Sequence, residues 1–222
     1  MAGLLDLVLP ERCAACGRGE QSFCDSCLRQ LRLLRGPLCK RCGAPTEWPV
    51  ERCGECSGRR LSFAAARSAV AYEGPARALV AAWKERGLRR LAGTAAELVV
   101  DVVPRPEVEA LAFVPADPAR GLWRGHSTAE ALARVLARRW GLEVVEALAR
   151  ARSVPRQRGL DRGARRANVR GAFRPRAEPP QTIALVDDVY TTGATVSEAA
   201  LALRRAGVHA VHVVTFARAI RR

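Results

Sequence analysis

The sequence of 222 residues has no apolar run that approaches the ~18 residues needed to cross a bilayer. This pattern argues against a transmembrane helix. The apolar stretch at residues 4–9 is short, contains Asp6 and has no basic segment before it, so no secretory signal is predicted. Without an export signal, we expect a cytoplasmic protein.

Aromatic residues and lysines are also scarce. Aromatics make up 5% of the chain, and no basic stretch is interleaved with them, so no platform for stacking nucleic-acid bases is visible. Lys40 and Lys84 are the two lysines, yet Lys+Arg total 37 against 22 Asp+Glu, which gives a formal net charge of +15. Such a charge attracts nucleic acid or other polyanions. A coding bias toward arginine explains it equally well, and both interpretations stay open.

Cysteine is absent after residue 56, although eight cysteines precede that point. They form four C-x-x-C pairs, and two such pairs complete a tetrahedral Cys₄ shell around one Zn²⁺. Disulfides would require an oxidising compartment, and a redox C-x-x-C usually occurs once rather than four times. We therefore predict two structural zinc ions. Their ligands are Cys13, Cys16, Cys24, Cys27, Cys39, Cys42, Cys53 and Cys56.

The tandem order of the pairs favours two sequential zinc sites, but interleaved pairing uses the same residues and remains open. Two closed Cys₄ shells leave no position for a reactive water, so the metal is expected to be structural. About sixty residues build little core, and metal binding supplies the missing stability. The predicted division is a double zinc ribbon at residues 1–60 and a second domain at residues 61–222.

The second domain alternates short apolar runs with amphipathic stretches, which predicts an α/β fold with a parallel sheet covered on both faces. One segment, residues 150–174, is rich in Arg and Gly and weakly apolar, and we predict a mobile loop there. The strand candidates are 68–72, 111–114, 143–149, 183–186 and 208–216, and the helix candidates are 75–85, 91–103, 128–140 and 194–206.

Two adjacent carboxylates follow the apolar run at 183–186, and a hydroxyl-rich loop then opens a helix. The N–H groups of such a loop cradle a phosphate, and the helix dipole favours the anion. The paired acids accept hydrogen bonds from vicinal ribose hydroxyls. A simple helix cap explains one acid and one hydroxyl, but not two acids before T-T-G-x-T. We predict a site for a 5-phosphoribosyl group. Its residues are Asp187, Asp188, Val189, Tyr190, Thr191, Thr192, Gly193, Ala194 and Thr195.

The run at 185–195, L-V-D-D-V-Y-T-T-G-A-T, resembles the phosphoribosyl diphosphate (PRPP) motif of type I phosphoribosyltransferases. With the four cysteine pairs and segments 83–87, 157–160 and 165–173, the whole chain resembles the ComF family of competence proteins, including the GntX-like proteins. The resemblance implies a phosphoribosyltransferase-like domain with an N-terminal double zinc ribbon. It also implies PRPP bound with Mg²⁺, a glycosyl transfer at ribose C1, and Asp187 and Asp188 as catalytic residues.

The resemblance further implies that Lys84, Arg124 and Arg165 contact PRPP. Surface arginines without a ligand, and a helix-end charge at Lys84, are the alternatives. Pyrophosphate contacts would lie near 114–117 and 124–129, where the sequence departs from the family pattern. The implied role is DNA uptake during competence, with single-stranded DNA and a DNA-uptake helicase as partners. A non-catalytic module that binds single-stranded DNA at the same phosphate site remains the alternative.

Overall fold

The computed structural model describes residues 12–117, 126–151, 169–176 and 178–220. Five parallel strands form the main sheet in the order β1–β7–β6–β2–β3, and β4 pairs with β5 in a separate antiparallel ribbon. The predicted α/β fold with a parallel sheet is therefore confirmed. The strands are β1 (Ala65–Ala71), β2 (Ala110–Phe113), β3 (Glu143–Val144), β4 (Leu148–Arg150), β5 (Phe173–Pro175), β6 (Thr182–Tyr190) and β7 (Ala210–Arg218).

Helices cover both faces of this sheet. In chain order they are α1 (Asp25–Arg29), α2 (Gly74–Glu85), α3 (Leu91–Val102), α4 (Thr128–Trp140) and α5 (Ala194–Arg205). Helix α4 begins where the Ser127 hydroxyl accepts a hydrogen bond from the Glu130 N–H, and it ends at Gly141 in the left-handed conformation. Within the described ranges, no helix combines the length and the apolar character that a bilayer span requires.

Strand β6 lies at the centre of the sheet and is buried on both faces. Ala184 and Val186 pack into the core formed with α2, α3 and α4. Ile183 and Leu185 pack into the core on the opposite face, which includes α5. A continuous apolar run suits this position because neither face of the strand meets water.

Several strand boundaries differ from the sequence expectation: β1 begins at Ala65 rather than at residue 68, and β7 covers Ala210–Arg218 rather than 208–216. Strand β6 continues past Val186 to Tyr190, because it pairs with β7 as far as Tyr190 and Arg218. The expected strand at 143–149 is two short strands in different sheets. The ends of the expected loop at 150–174 belong to β4 and β5, and its residues 152–168 lie outside the described residues.

The segment between the second and third cysteine pairs covers the outer edge of β1. The Leu34 N–H donates to the Ala69 carbonyl at 2.8 Å, and the Ala71 N–H donates to the Arg32 carbonyl at 2.9 Å. An exposed strand edge can pair with another chain, and this segment prevents such pairing by bonding to the edge of β1. The N-terminal cysteine region is thus joined to the sheet by backbone hydrogen bonds.

The two cysteine-containing regions pack on opposite faces of the sheet. Cys13, Cys27 and the apolar side chains near them belong to the α2–α4 core, whereas Cys39, Cys42 and Cys56 belong to the α5 core. The boundary at residues 60 and 61 stays a prediction.

One close approach requires a glycine. Gly43 has φ of +70°, and a Cβ there would lie 2.4 Å from the Ala66 carbonyl oxygen. The second region can therefore lie directly against β1 only with glycine at this position.

The connections that leave β2 and β6 run to opposite faces of the sheet. Helix α4 follows β2 and packs in one core, while α5 follows β6 and packs in the other. Such a divergence opens a crevice beyond the carboxyl ends of the strands, which is where parallel α/β sheets bind ligands.

Candidate functional site

A cavity of about 300 Å³ lies in this crevice, beyond the carboxyl ends of β2 and β6. Its volume is at the lower end of the range for small-molecule sites, which favours a compact ligand. The structure brings six of the sequence-predicted residues together in its lining. They are Lys84, Asp187, Asp188, Val189, Thr191 and Thr195.

Four other predicted residues of the 189–195 stretch, among the described residues, do not line the cavity. The buried Tyr190 ring lies against Phe63, with the ring centres 6.3 Å apart. The Thr192 hydroxyl accepts a hydrogen bond from the Ala194 N–H at 3.3 Å, so it caps the start of α5. Gly193 has φ of +72° and makes the turn into this helix.

Arg124 and Arg165 lie outside the described residues. Their contacts with PRPP stay predictions.

Asp188 is the most constrained carboxylate of the site. Its residue is 5% exposed, and one carboxylate oxygen lies 2.6 Å from Lys84 Nζ, which extends from α2. The other oxygen accepts a hydrogen bond from the hydroxyl of Thr128, at the first turn of α4. A buried charge requires such partners, so Asp188 joins two helices to the end of β6.

Asp187 has a different environment. Burial, followed by the charge of the neighbouring Asp188, raises the pKa of its carboxyl to about 7 against the opposing effect of Lys84. One Asp187 oxygen accepts a hydrogen bond from the Asp188 N–H at 2.9 Å. The acid pair therefore holds one permanently paired carboxylate and one that exchanges its proton near neutral pH.

Lys84 keeps its charge in the cavity. Burial acts to lower its pKa, but the Asp188 and Asp187 carboxylates outweigh burial and raise it. The cavity thus combines a fixed cation with two acids, a pattern that suits a ligand carrying both an anion and hydroxyl groups.

Further lining residues come from 114–117 and 126–129, within the segments where the resemblance implies pyrophosphate contacts, and from Arg150, which the sequence prediction does not include. Thr128 and His126 come from the start of α4 and the turn before it, and Arg150 comes from the end of β4. The His126 Nε2–H donates to the Trp83 carbonyl at 2.8 Å, which holds this turn against the end of α2 beside Lys84. The sequence pattern does not identify Thr128 as a partner of Asp188.

The cysteines form two compact groups, in the sequential arrangement. Cys13, Cys16, Cys24 and Cys27 make the first cluster, and Cys39, Cys42, Cys53 and Cys56 make the second cluster; the sulfurs of each cluster lie within 4.8 Å of one another. A Zn–S distance of about 2.3 Å requires sulfurs about 3.8 Å apart in a tetrahedron. The measured separations are 3.8 Å for Cys16–Cys24, 3.6 Å for Cys39–Cys56 and 3.5 Å for Cys42–Cys53. Both clusters therefore fit structural Zn²⁺.

Backbone amides stabilise one sulfur of each cluster as a thiolate. The Cys24 N–H donates to Cys13 Sγ at 3.4 Å, and the Cys53 N–H donates to Cys39 Sγ at 3.3 Å. Burial opposes ionisation of Cys13, but backbone hydrogen bonds outweigh it and lower the pKa to about 6. Backbone hydrogen bonds likewise outweigh burial at Cys39 and lower its pKa to about 7, so each cluster has one sulfur disposed to bind a metal cation.

Comparisons with known proteins find similarity in the N-terminal cysteine region and over nearly the whole chain. Residues 4–57 match the double zinc ribbon domain. Competence protein F of Haemophilus influenzae is 29% identical over 225 residues, covering 94% of this chain and 97% of that protein. The chain is thus similar to competence protein F over nearly its whole length. DNA utilization protein YhgH of Salmonella typhi is 29% identical, covering 93% of this chain and 96% of that protein. YhgH of Escherichia coli K12 is 28% identical with the same coverage. The predicted resemblance to competence proteins with an N-terminal double zinc ribbon is confirmed.

Zinc analysis tests the cysteine clusters. We expect two zinc ions per chain in the purified protein, and removal by a chelator should lower the melting temperature because each cluster contributes to a core. Metal content by atomic emission and melting followed by circular dichroism measure both effects. A folded chain that carries no zinc and melts unchanged with chelator would contradict the assignment.

The raised pKa of Asp187 predicts how stability depends on pH. The folded state binds more protons than the unfolded state between about pH 4 and 7, so the free energy of unfolding falls as pH rises through this window. Asp187→Asn mimics the protonated carboxyl, so the variant should not lose this free energy of unfolding as pH rises. The variant should melt a few degrees above the wild type at pH 8 and at the same temperature at pH 4. An equal difference at both pH values would show that Asp187 is not responsible.

Proposed function

We propose that this chain binds a phosphorylated ribose, with PRPP as the best match, and acts in the uptake or use of DNA. The observation that carries the proposal is the shared cavity. It joins the acid pair at the end of the central strand, the loop at 191–195 that opens α5, and the cation Lys84.

The loop at 191–195 is the proposed phosphate site. The first N–H groups of α5 have no partner within their own helix, and the helix dipole favours an anion there. Thr191 and Thr195 line the cavity and supply hydroxyl donors. Gly193 permits the sharp turn that starts this helix.

The acid pair is the proposed site for the ribose diol. Asp188 is held by Lys84 and Thr128 and supplies a fixed acceptor. Asp187 supplies a second acceptor once its carboxyl is ionised, so diol binding favours the deprotonated form. Carboxylates at this position also stabilise positive charge that develops on the sugar when the bond at C1 breaks.

The residues fit Mg²⁺ as well, because Asp187 and Asp188 place carboxylate oxygens beside the cavity and Mg²⁺ binds through oxygen ligands. When bound with PRPP, Mg²⁺ would neutralise charge on the diphosphate. Lys84 faces the same space and is the proposed protein cation for the diphosphate. Arg150 also lines the cavity and adds positive potential.

The role in DNA uptake or use is supported by the names of the relatives. One is a competence protein and others are DNA utilization proteins, and the similarity covers nearly the whole chain. The net charge of +15 agrees with a protein that meets polyanions.

Calorimetry with PRPP and Mg²⁺ tests sugar-phosphate binding. We expect saturable heat for the zinc-loaded protein and about a tenfold or greater rise in Kd for Asp187→Asn, because a charged acceptor for the diol is lost. Asp101→Asn is the matched control, since Asp101 pairs with Arg35 on the surface. Absence of binding heat in folded wild-type protein would exclude the proposal.

Single-stranded DNA binding is the second candidate, favoured by the +15 charge. We expect the affinity of an oligonucleotide, measured by fluorescence anisotropy, to fall steeply as salt is added, because bound counterions are released. Asp188→Asn should damage sugar-phosphate binding and leave the DNA affinity within about twofold if phosphate contacts dominate. Salt-independent binding, or none, would rule out this candidate.

A further inference from the structure

The fourth cysteine pair, Cys53–Cys56, contacts the proposed phosphate loop through an arginine that no motif identifies. One guanidinium nitrogen of Arg59 donates to the Thr192 carbonyl at 2.5 Å. Another donates to the Glu55 carbonyl at 3.3 Å. Glu55 lies between the two cysteines of this pair. The Arg59 side chain therefore bonds both the second cluster and the loop.

This contact determines the direction of one loop peptide. The Thr192–Gly193 peptide is trans and planar, so its carbonyl and its N–H point in opposite directions. Arg59 holds the Thr192 carbonyl, and the Gly193 N–H is consequently directed away from Arg59. The charged donor also stabilises the carbonyl end of the peptide dipole, which strengthens the orientation.

A second connection runs from the same cysteine pair to the base of the loop. The Arg218 side chain is 1% exposed, and its guanidinium lies 2.7 Å from the Glu55 carboxylate. It also donates to the Cys42 carbonyl at 2.5 Å and lies 4.6 Å from the centre of the Tyr190 ring. Glu55 is thus bonded by both arginines.

Tyr190 contacts both Arg218 and Gly193. A Cβ at Gly193 would lie 2.3 Å from the Tyr190 hydroxyl oxygen, so the ring is packed directly beneath the loop. Arg218 and Arg59 therefore support the loop at adjacent points, and both are anchored at Glu55.

The first cluster has a different setting. Cys13 and Cys27 pack in the core on the α2–α4 face of the sheet, opposite the core that contains Tyr190. The two clusters are alike in sequence but differ in what they support.

We propose that Arg59 is a positioning residue, which uses the second cluster as an anchor to fix the Thr192–Gly193 peptide and, through it, the lining residues Thr191 and Thr195 on either side. The inference rests on the proposed function for its purpose, but the geometry it describes exists without ligand. It assigns the second zinc ribbon a task in the site, through loop contacts that the first cluster does not make within the part of the chain that the structure describes.

Hydrogen exchange without ligand tests the positioning. In zinc-loaded Arg59→Met, we expect the amides of residues 192–195 to exchange about tenfold faster than in the wild type, since the loop loses its carbonyl anchor. The matched control is Arg35→Met, whose arginine pairs with Asp101 and lines a different cavity. Unchanged exchange at 192–195 in Arg59→Met would overturn the inference.

Binding of ribose 5-phosphate by calorimetry gives the second measurement. Arg59→Met should raise Kd about tenfold, with two zinc ions retained. Arg59→Lys should give an intermediate Kd, because one donor reaches one carbonyl. Loss of zinc in Arg59→Met would overturn the inference by showing that Arg59 supports the metal site instead. If the wild type binds neither ribose 5-phosphate nor PRPP with Mg²⁺ while exchange responds, the proposed function fails and the positioning by Arg59 stands.

Discussion

The buried carboxylate of Asp188 is the constraint on which the candidate site depends. It lies near the end of a strand covered on both faces, where a charge without partners would be strongly unfavourable. Lys84 from α2 and Thr128 from α4 satisfy it. These bonds draw two helices toward the end of β6, and the cavity lies between the elements they hold.

The cysteine clusters also stabilise this sheet and its helices. Each contributes to the core on one face of the sheet, and the segment between them pairs along the edge of β1. A small region with little core of its own gains stability from metal and from this shared packing. The second cluster has the further contacts to the loop through Arg59 and Arg218, so its structural role extends to the site.

Local patterns predicted much of the site because they depend on near neighbours. The run from Ile183 to Thr195 predicts a strand, an acid pair and a helix start, and the cysteine spacing predicts the zinc ligands. Thr128 was missed because its role arises from an element more than fifty residues away in sequence. Tyr190 belongs to the predicted site because the motif contains it, but the tertiary structure packs its ring against Phe63 in the α5 core.

The amino-acid sequence by itself determined the alternation of helices and strands, the eight metal ligands and the acid pair with its loop, because each follows from residue type and short-range spacing. The tertiary structure alone decided the sequential zinc pairing, the placement of the clusters on opposite faces, and the partners of Asp188. It also decided that Arg59 meets Thr192. These features depend on which distant segments the packed sheet brings within bonding distance, and short-range spacing does not specify those long-range contacts.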